Sequence, residues 1–584
     1  MKTGLIRLLV VLSCFYGLPA ARGQPVGWQS VRGFGGYDAQ AGQPNRLQGG
    51  ATDAAGNQYL VGSFVGNTNF GGTTLFTAGY HDGFVAKYSP SGALQWVRAL
   101  AGPLGEGFRA VCLDPAGNCY VTGEFGPQAT LDGVTQLPGS GIVTAAYDAA
   151  GRLIWSDVTT ANTAQTGDAY PYGIALDPAG RCYVTGMMFN ITRTFGAITL
   201  AFARPAINQQ SFVCCYNPRR QVAWAKATTV TDTDSYPLGI AGTANGCVVT
   251  NYYSGRAGSV LGVATDSTSY LGSSYDTDGL VIALDSLGNP RWGRAIRNPF
   301  VGGATIFLTP PIVSGAQVLL AGAADTLTTF GQLTPVITGR YGDFKTFLAG
   351  YNLTTGLLTR LDIAARGFKA PGYRTAALAI PNVVREYPNG IYLGGSFFGE
   401  VQFGGLPTRT TAVQGSSDGF VAKFDPTATT GEWVVTAATS SSSLLTDLYT
   451  TIQTLSVLPT GEVFVAGSFF EQATFGTTTL TAMSRGDLFI GRIGRVVGLP
   501  EPPPAGTALD VWPNPAREGT WVQTPLGAAG GTVALFDALG RPIRTLTLGT
   551  VPVRLNTADL PRGVYVIRVT AGGVRATRKL VVEP

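Results

Sequence analysis

The chain has 584 residues, 13% of them charged, with 80 glycines and a formal net charge of +5. That length is too great for one ordinary core unless the core is built from repeats, and glycine at about twice its usual share with few charges suits short strands and tight turns. The positive charge belongs to the two ends: residues 1–23 carry +3, residues 505–584 hold nine basic and five acidic groups, and 24–504 hold 28 basic and 30 acidic groups, so the body clusters no basic face of the kind nucleic acid requires.

Lys2 and Arg7 precede an apolar run from Leu8 to Leu18, and Ala21-Arg22-Gly23 has the small-x-small form of a signal-peptidase site. A Sec signal is therefore expected over 1–23, with cleavage between Gly23 and Gln24 and the Sec translocon as partner. The run is too short to span a bilayer, and no later segment approaches about 18 uninterrupted apolar residues. Val11-Leu12-Ser13-Cys14 is a rival lipoprotein site, opposed by the short apolar run before Cys14.

From residue 27 onward one pattern recurs. Its first full copy has a turn, Asp53-Ala-Ala-Gly-Asn57, then Tyr59-Leu-Val-Gly62, Phe70-Gly71, Asp82-Gly-Phe-Val-Ala-Lys-Tyr88, and Gly92 to Trp96. The closing aromatic falls at Trp28, Trp96, Trp155, Trp224, Trp292 and Trp433, with Arg360 in its place in unit five, at intervals of 68, 59, 69, 68, 68 and 73 residues. Alternation within an interval predicts four short strands; in unit three these are Gly173–Leu176, Cys182–Gly186, Ser211–Tyr216 and Gln221–Lys226. A unit that cannot cover its own faces must stack on copies of itself. The last unit, with Phe475-Gly476 and Asp487 to Arg492, lacks its Trp strand, and Gly27-Trp28-Gln-Ser-Val-Arg32 can fill the place. Six whole units and one split unit then give seven, with no open edge. These landmarks resemble the bacterial β-propeller repeat family (the SBBP type) over roughly residues 27–495, clearly in units one, two, three, six and seven. The resemblance implies a propeller fold and no single activity.

No catalytic, cofactor or metal residue is assigned in this body. His81 is the sole histidine and is expected in a solvated loop, because matching slots hold Thr277 and Ser417. Asp53, Asp114 and Asp177 open Asp-x-x-Gly turns, where the carboxylate caps its own backbone. Asp82, Asp278, Asp343, Asp418 and Asp487 recur at a strand entrance, where backbone N–H groups account for them. Asp232-Thr-Asp234 and Asp276-Thr-Asp278 lack the further ligands of an EF-hand. Asp285-x-x-Gly288-x-x-x-Trp292 is similar to the tryptophan motif of pyrroloquinoline-quinone dehydrogenases. That motif is spaced one residue differently, those propellers have eight blades, and no cofactor is expected here. Six cysteines follow Cys14. They are expected as small buried apolar residues, with Leu113 pairing Cys119, and with Cys214 and Cys215 on opposite faces of a strand. The tryptophans, needed once per unit, are expected between units and not as sugar platforms.

Pro502-Pro-Pro504 opens a stiff linker, placed at 498–507. Beyond it, residues 508–584 carry short alternating strands, enough for a small sandwich. Trp512-Pro513-Asn514-Pro515, Leu535 to Gly540-Arg541, Leu560 to Val569 with Gly563 and Tyr565, and Arg578-Lys579-Leu-Val-Val582 resemble the type A C-terminal sorting domain of the type IX secretion system. Trp512 stands where an aromatic, often Tyr, is usual. The resemblance implies recognition by that machinery, removal of the tail, and release or attachment at the cell surface.

The sequence thus predicts an all-β chain: a seven-bladed β-propeller over 24–497, closed by an N-terminal strand, then a small C-terminal immunoglobulin-like β-sandwich. A monomer without nucleic acid or a transmembrane helix is expected. The expected function is surface binding of an unknown extracellular ligand (glycan, protein or matrix). A carbohydrate-active hydrolase or lyase using carboxylates on one propeller face is the alternative. The insert at Phe189–Ile207 and those of units four and five break the repeat and are the places to look for a site.

Overall fold

The computed structural model describes residues 26–583 apart from 38–43, 162–167, 190, 202–208, 229–232, 256–257, 266–277, 298–305, 325–327, 332–343, 369–376, 414, 428–429, 441–448, 459, 496–509, 524–531, 538–539, 548–551 and 572–573. The signal segment with Cys14, Gly23 and Gln24, the linker at 498–507, much of the Phe189–Ile207 insert, and Asp232, Asp276, Thr277 and Asp343 lie outside the described residues. Every regular element among the described residues is a strand. Residues 26–495 form one compact body and residues 510–583 another.

Unit one is an antiparallel meander of Arg46–Thr52, Gln58–Phe64, Asp82–Tyr88 and Leu94–Ala101. Gly107–Leu113, Cys119–Phe125, Gly141–Tyr147 and Leu153–Val158 repeat it as unit two. The same order recurs from Asp168–Leu176 to Val222–Ala227, from Thr233–Thr243 to Pro290–Arg297, and from Leu378–Tyr387 to Gly431–Thr439. In unit five the first strand is broken into Phe307–Leu308 and Ile312–Ser314. The unit-three strands are longer than alternation suggests: the first begins at Asp168 and the second runs to Phe189. A bulge beyond Pro171 breaks the period there and hides the earlier half of the strand.

The turns form as their chemistry dictates. Asp53 Oδ1 accepts from the N–H groups of Ala55 (3.0 Å) and Asn57 (2.9 Å), and Gly56 takes a φ of +83° that a side chain would resist. Asp114, Asp148, Asp177 and Asp285 repeat this arrangement.

The middle strands of each unit are buried almost throughout, as Gln58–Phe64 and Asp82–Tyr88 show. Both faces of each sheet are therefore apolar and each needs a neighbour. One buried cluster joins units one and two around Tyr59, Val61, Phe108 and Tyr147. Others join two to three, three to four, four to five, five to six and six to seven. A further cluster joins the last unit back to the first through Leu60, Phe64, Phe464 and Ile490. The Phe of each Phe-Gly turn packs on a third-strand Phe: Phe70–Phe84, Phe195–Phe212, Phe330–Phe347, Phe403–Phe420 and Phe475–Phe489 have centroids 4.9, 5.0, 5.0, 4.8 and 4.6 Å apart. Each such pair contributes about 0.5–1.5 kcal/mol beyond its burial.

The tryptophans cross between units. Trp96 lies over Gly151 in the next unit, where a Cβ would stand 2.6 Å from the indole, and its Nε1 donates to Ala149 O at 3.1 Å. Trp224 over Gly288 and Trp292 over Gly356 repeat the contact. Trp155 packs edge-on to Tyr216 of unit three; Trp433 meets Tyr392 of its own unit edge-on and packs on the cluster between units six and seven. Where Trp is missing in unit five, Arg360 pairs with Asp362.

The strand Val26–Tyr37 pairs antiparallel with Thr478–Arg495 and then with Asn67–Asn69 of unit one. Its register differs from the sequence alignment. Ser30, not Trp28, lies opposite Arg492 as Trp96 lies opposite Lys87, because two more residues separate Trp28 from Arg32 than Trp96 from Arg98. Trp28 therefore faces back to unit six, donating from Nε1 to Thr436 O at 2.8 Å and meeting Phe475 edge-on at 4.9 Å.

All six cysteines after Cys14 are unbridged. Leu113 pairs with Cys119, and Cys214 and Cys215 enter clusters on opposite faces of their strand.

In the second body, one sheet holds Asp510–Trp512, Gly519–Gln523 and Val553–Asn556. The other holds Thr532–Phe536, Pro542–Thr547, Gly563–Ala571 and Val574–Val582. Val522, Val533, Leu555, Ile567 and Leu580 form their shared core.

Removing residues 26–34 would uncover the apolar, unpaired edge of Thr478–Arg495. The melting temperature is expected to fall by at least about 5 °C. Differential scanning calorimetry of the truncated protein checks this, and an unchanged midpoint would show the strand to be dispensable.

Candidate ligand-binding cavity

The first strands of successive units lie side by side, with Thr450–Val457 against Arg46–Thr52 completing the series. Thr454 and Ser456 reach across that last junction to Gly50 O and Gln58 Oε1, at 3.5 and 3.3 Å. Between these strands is a cavity of about 430 Å³, lined by residues within 48–50, 109–113, 172–176, 239–241, 310–313, 382–385 and 453–454.

Six of these strands carry a β-bulge at the same level. The extra residues are Gln48, Arg109, Tyr172, Leu238, Asn382 and Gln453; in unit five the strand breaks at 309–311 instead. A bulge frees one residue from the pairing ladder and re-aims its side chain. All of them except Leu238 line the cavity. Sequence reasoning missed this level, because a bulge leaves no fixed residue type. The only signal was a misfit of alternation just before Gly49, Ala110, Gly173, Gly239, Val383 and Thr454.

Each bulged side chain has its own setting. Arg109 binds both oxygens of Glu124 through Nε at 2.8 and 2.9 Å, and its guanidinium lies 5.6 Å over the Tyr170 ring. Asn382 Nδ2 donates to Thr451 Oγ1 at 2.7 Å. Gln453 Oε1 is buried without a partner. Three residues beyond Asn382, Arg385 also lines the cavity; its Nη1 donates only to Val384 O, at 2.9 Å. Burial holds the Arg385 guanidinium below its ordinary pKa. The described lining contains two arginines and no carboxylate.

A vestibule of about 170 Å³ shares Gln48 and Arg109 with this cavity and adds Arg46, Ser63, His81 and Glu124. His81 is half-buried there, not in a solvated loop. Its carbonyl accepts from Glu106 N at 2.9 Å and its imidazole packs on Gly105. Burial, then the nearby Arg109 and Arg46 charges, lower its pKa, so it is neutral at neutral pH.

The recurring strand-entrance carboxylates are spent on backbone. Asp82 accepts from Ala78 N at 2.9 Å, Asp418 from Thr439 N at 2.8 Å, and Asp487 from Met483 N at 2.7 Å. Asp285 closes a turn and Trp292 packs on Tyr351, which accounts for the Asp-x-x-Gly-x-x-x-Trp stretch. No group of three or more His, Cys, Asp or Glu placed to hold a metal occurs among the described residues. Asp278 and Asp418 stand at matching strand entrances.

The sorting motif folds as a seam of the second body. The Asn514 side chain donates to Lys579 O at 2.7 Å and accepts from Val581 N at 2.9 Å, tying Pro513-Asn514-Pro515 to the last strand. Gly540 (φ +81°) and Arg541 close a turn on Asp537, with Arg541 Nε 2.7 Å from its carboxylate. Gly563 lies opposite Val582, and the Tyr565 hydroxyl donates to Pro561 O at 2.6 Å.

Residues 510–583 match the family described as the secretion system C-terminal sorting domain. The protein is exported to the cell surface or the extracellular space. No curated protein matches the chain. Among solved structures, the chain is similar to a quinohemoprotein alcohol dehydrogenase from Comamonas testosteroni (9% identity, TM-score 0.33, 85% of this chain and 80% of that one). It is also similar to an apocarotenoid oxygenase from Synechocystis (11%, 0.30, 70% and 91%) and to the extracellular domain of a putative hybrid two-component system from B. thetaiotaomicron (10%, 0.18, 94% and 82%). These likenesses assign no reaction to this chain. No helix among the described residues is long and apolar enough to cross a membrane.

One junction departs from its counterpart. Between units seven and one, Asn45 Nδ2 donates to Asp487 Oδ1 at 2.9 Å. Between units one and two, Glu106 and Asp82 hold the matching places. Glu106 is fully buried and its Oε2 has no partner. Burial, with Asp82 and Glu124 adding repulsion, pushes Glu106 from 4.5 to about 7; burial pushes Asp82 from 3.8 to about 6. The folded state therefore holds protons that the unfolded chain releases, and stability falls as pH rises from about 4 to 7. A shift of this size corresponds to roughly 3 kcal/mol for Glu106. Glu106→Gln restores the amide-to-carboxylate contact of Asn45. It should flatten the fall in melting temperature between pH 4.5 and 7.5 and raise the midpoint at pH 7.5 by a few degrees. A variant with the wild-type slope would contradict this account.

Proposed function

We propose that this is an exported cell-surface or secreted binding protein. Its body over 24–497 is a seven-bladed β-propeller whose ring is latched by the N-terminal strand and whose axis holds the ligand-binding cavity. The Sec signal at 1–23 starts the route, the linker at 498–507 follows the body, and the immunoglobulin-like domain at 508–584 is read by the type IX machinery. The observation that carries the binding role is the cavity itself. It is lined by one strand from every unit, its size falls within the ~300–1,000 Å³ of small-ligand sites, and its side chains vary where the rest of the repeat is constant. The chain of inter-unit clusters and the resemblance of the repeats to the bacterial β-propeller family support the ring. The six tryptophans, Trp28 included, serve this packing.

Binding is favoured over turnover by where the acids are placed. Glu124 is held by Arg109 and Glu106 is sealed from substrate. The alternative, a surface hydrolase or lyase acting on carbohydrate, would need an exposed pair of carboxylates.

Glycan and matrix arrays, followed by activity assays on every retained polymer, separate the two roles. Retention without turnover is expected, and cleavage of a retained glycan would establish the enzyme. Deleting 508–584 is expected to leave the protein in the periplasm, with at least about a tenfold loss from the surface and medium fractions. Normal delivery of the truncated protein, scored by fractionation, would refute the sorting role of the tail.

A further inference from the structure

We propose that the cavity recognises an anionic saccharide, with Arg385 binding its carboxylate or phosphate and Gln453 accepting from a sugar hydroxyl. This inference rests on the binding role proposed above and names the ligand class for that same site.

Arg385 is not a part the repeat needs. Residues at its register position in the other units are Ala51, Cys112, Ala175, Ala241, Ile312 and Ser456, all small or apolar or weakly polar. A guanidinium appears there once and lines the cavity. It has five donors, and one of its nitrogens donates to the carbonyl of the preceding residue. No carboxylate is paired with it among the described residues. The other arginine in the lining, Arg109, is already neutralised by Glu124. The cavity thus has one uncompensated positive charge and no negative one, in a body whose residues 24–504 carry slightly more acidic than basic groups.

An arginine fork matches the paired oxygens of a carboxylate or phosphate. Gln453, on the next first strand, supplies the complementary requirement. Its Oε1 is buried without a donor and its Nε2 reaches Ser468 Oγ only at 3.5 Å, so turning the amide toward the cavity it lines lets a ligand hydroxyl satisfy that oxygen. A simple inorganic anion has little to offer that oxygen, whereas a hydroxyl donates to it. Tyr172 and Asn382, on the same bulge level, complete a polar wall. The vestibule extends the positive field outward through Arg46, which draws an anion toward the cavity.

Isothermal titration calorimetry of the full exported protein tests this, with glucuronate and glucose 6-phosphate as the anionic probes and glucose as the neutral control. At least one anion is expected to bind at about tenfold or more higher affinity than glucose, and more weakly as salt increases. The two probes separate a carboxylate site from a phosphate site. Arg385→Met is expected to lose about tenfold or more of that affinity while melting like the wild type. Absence of heat with both anions, glucose bound as tightly as the anions, or a folded R385M that binds like the wild type would each overturn the inference. If R385M does not fold, the comparison of anion with glucose on the wild type decides by itself. A protein retained on a glycan array that gives no heat with either anion defeats this inference alone; cleavage of a retained glycan defeats the binding role.

Discussion

Everything in the body follows from sheets that are apolar on both faces. A strand such as Asp82–Tyr88, buried at every position, cannot leave either side to water. Each fully covered Val, Leu or Phe is worth about 1.5–3 kcal/mol, and one bare face would forfeit many of them. The clusters between successive units meet this demand pairwise, and the one linking Leu60 and Phe64 to Phe464 and Ile490 meets it for the two units that would otherwise be exposed. Once that constraint is set, the landmarks have little freedom. Phe70 must reach Phe84, Trp96 must lie on a glycine, and Asp82 must hold the backbone where the strand enters.

Local chemistry was the part legible in the sequence. A turn such as Asp53 to Asn57 is decided by five residues and reads the same in isolation as in the fold. Leu113 opposite Cys119, and the opposed faces of Cys214 and Cys215, follow from such turns and from strand period. Register between distant strands was less legible. Trp28 resembles the missing Trp96, but pairing is fixed by the whole ladder: of the two extra residues before Arg32, the bulge between Trp28 and Ser30 takes up one, and the net shift of one residue puts the indole on the other face. The Asp168 start of unit three was hidden for the same reason: a bulge resets the period that alternation relies on.

The bulges also explain why the candidate site was invisible. A residue outside the ladder is under no packing constraint common to the units, so Gln, Arg, Tyr, Leu, Asn and Gln can occupy equivalent positions. Chemistry can change there without a change of fold. His81 was misread in a related way. Its neighbours in sequence suggest an open loop, while in the fold its imidazole packs on Gly105 in the connection to the next unit and shares the vestibule with Arg46 and Arg109.

The two ends of the strands are unequal. At one end, turns such as Asp53–Asn57 and Ser89–Ala93 are closed by two backbone hydrogen bonds and tolerate only residues that fit them. At the other, the connections after Phe64 and Ala101 are longer and contribute Tyr80, 75% exposed, and Leu104, 51% exposed. The vestibule with Arg46 and His81 opens among these connections. Variation is therefore permitted at the end where the cavity meets its mouth and suppressed at the end that holds the repeat together. The exchange of Asn45 for Glu106 lies at that same permissive end. There a junction trades an amide for a second carboxyl and still closes, with burial and the neighbouring Asp82 favouring the protonated form of Glu106.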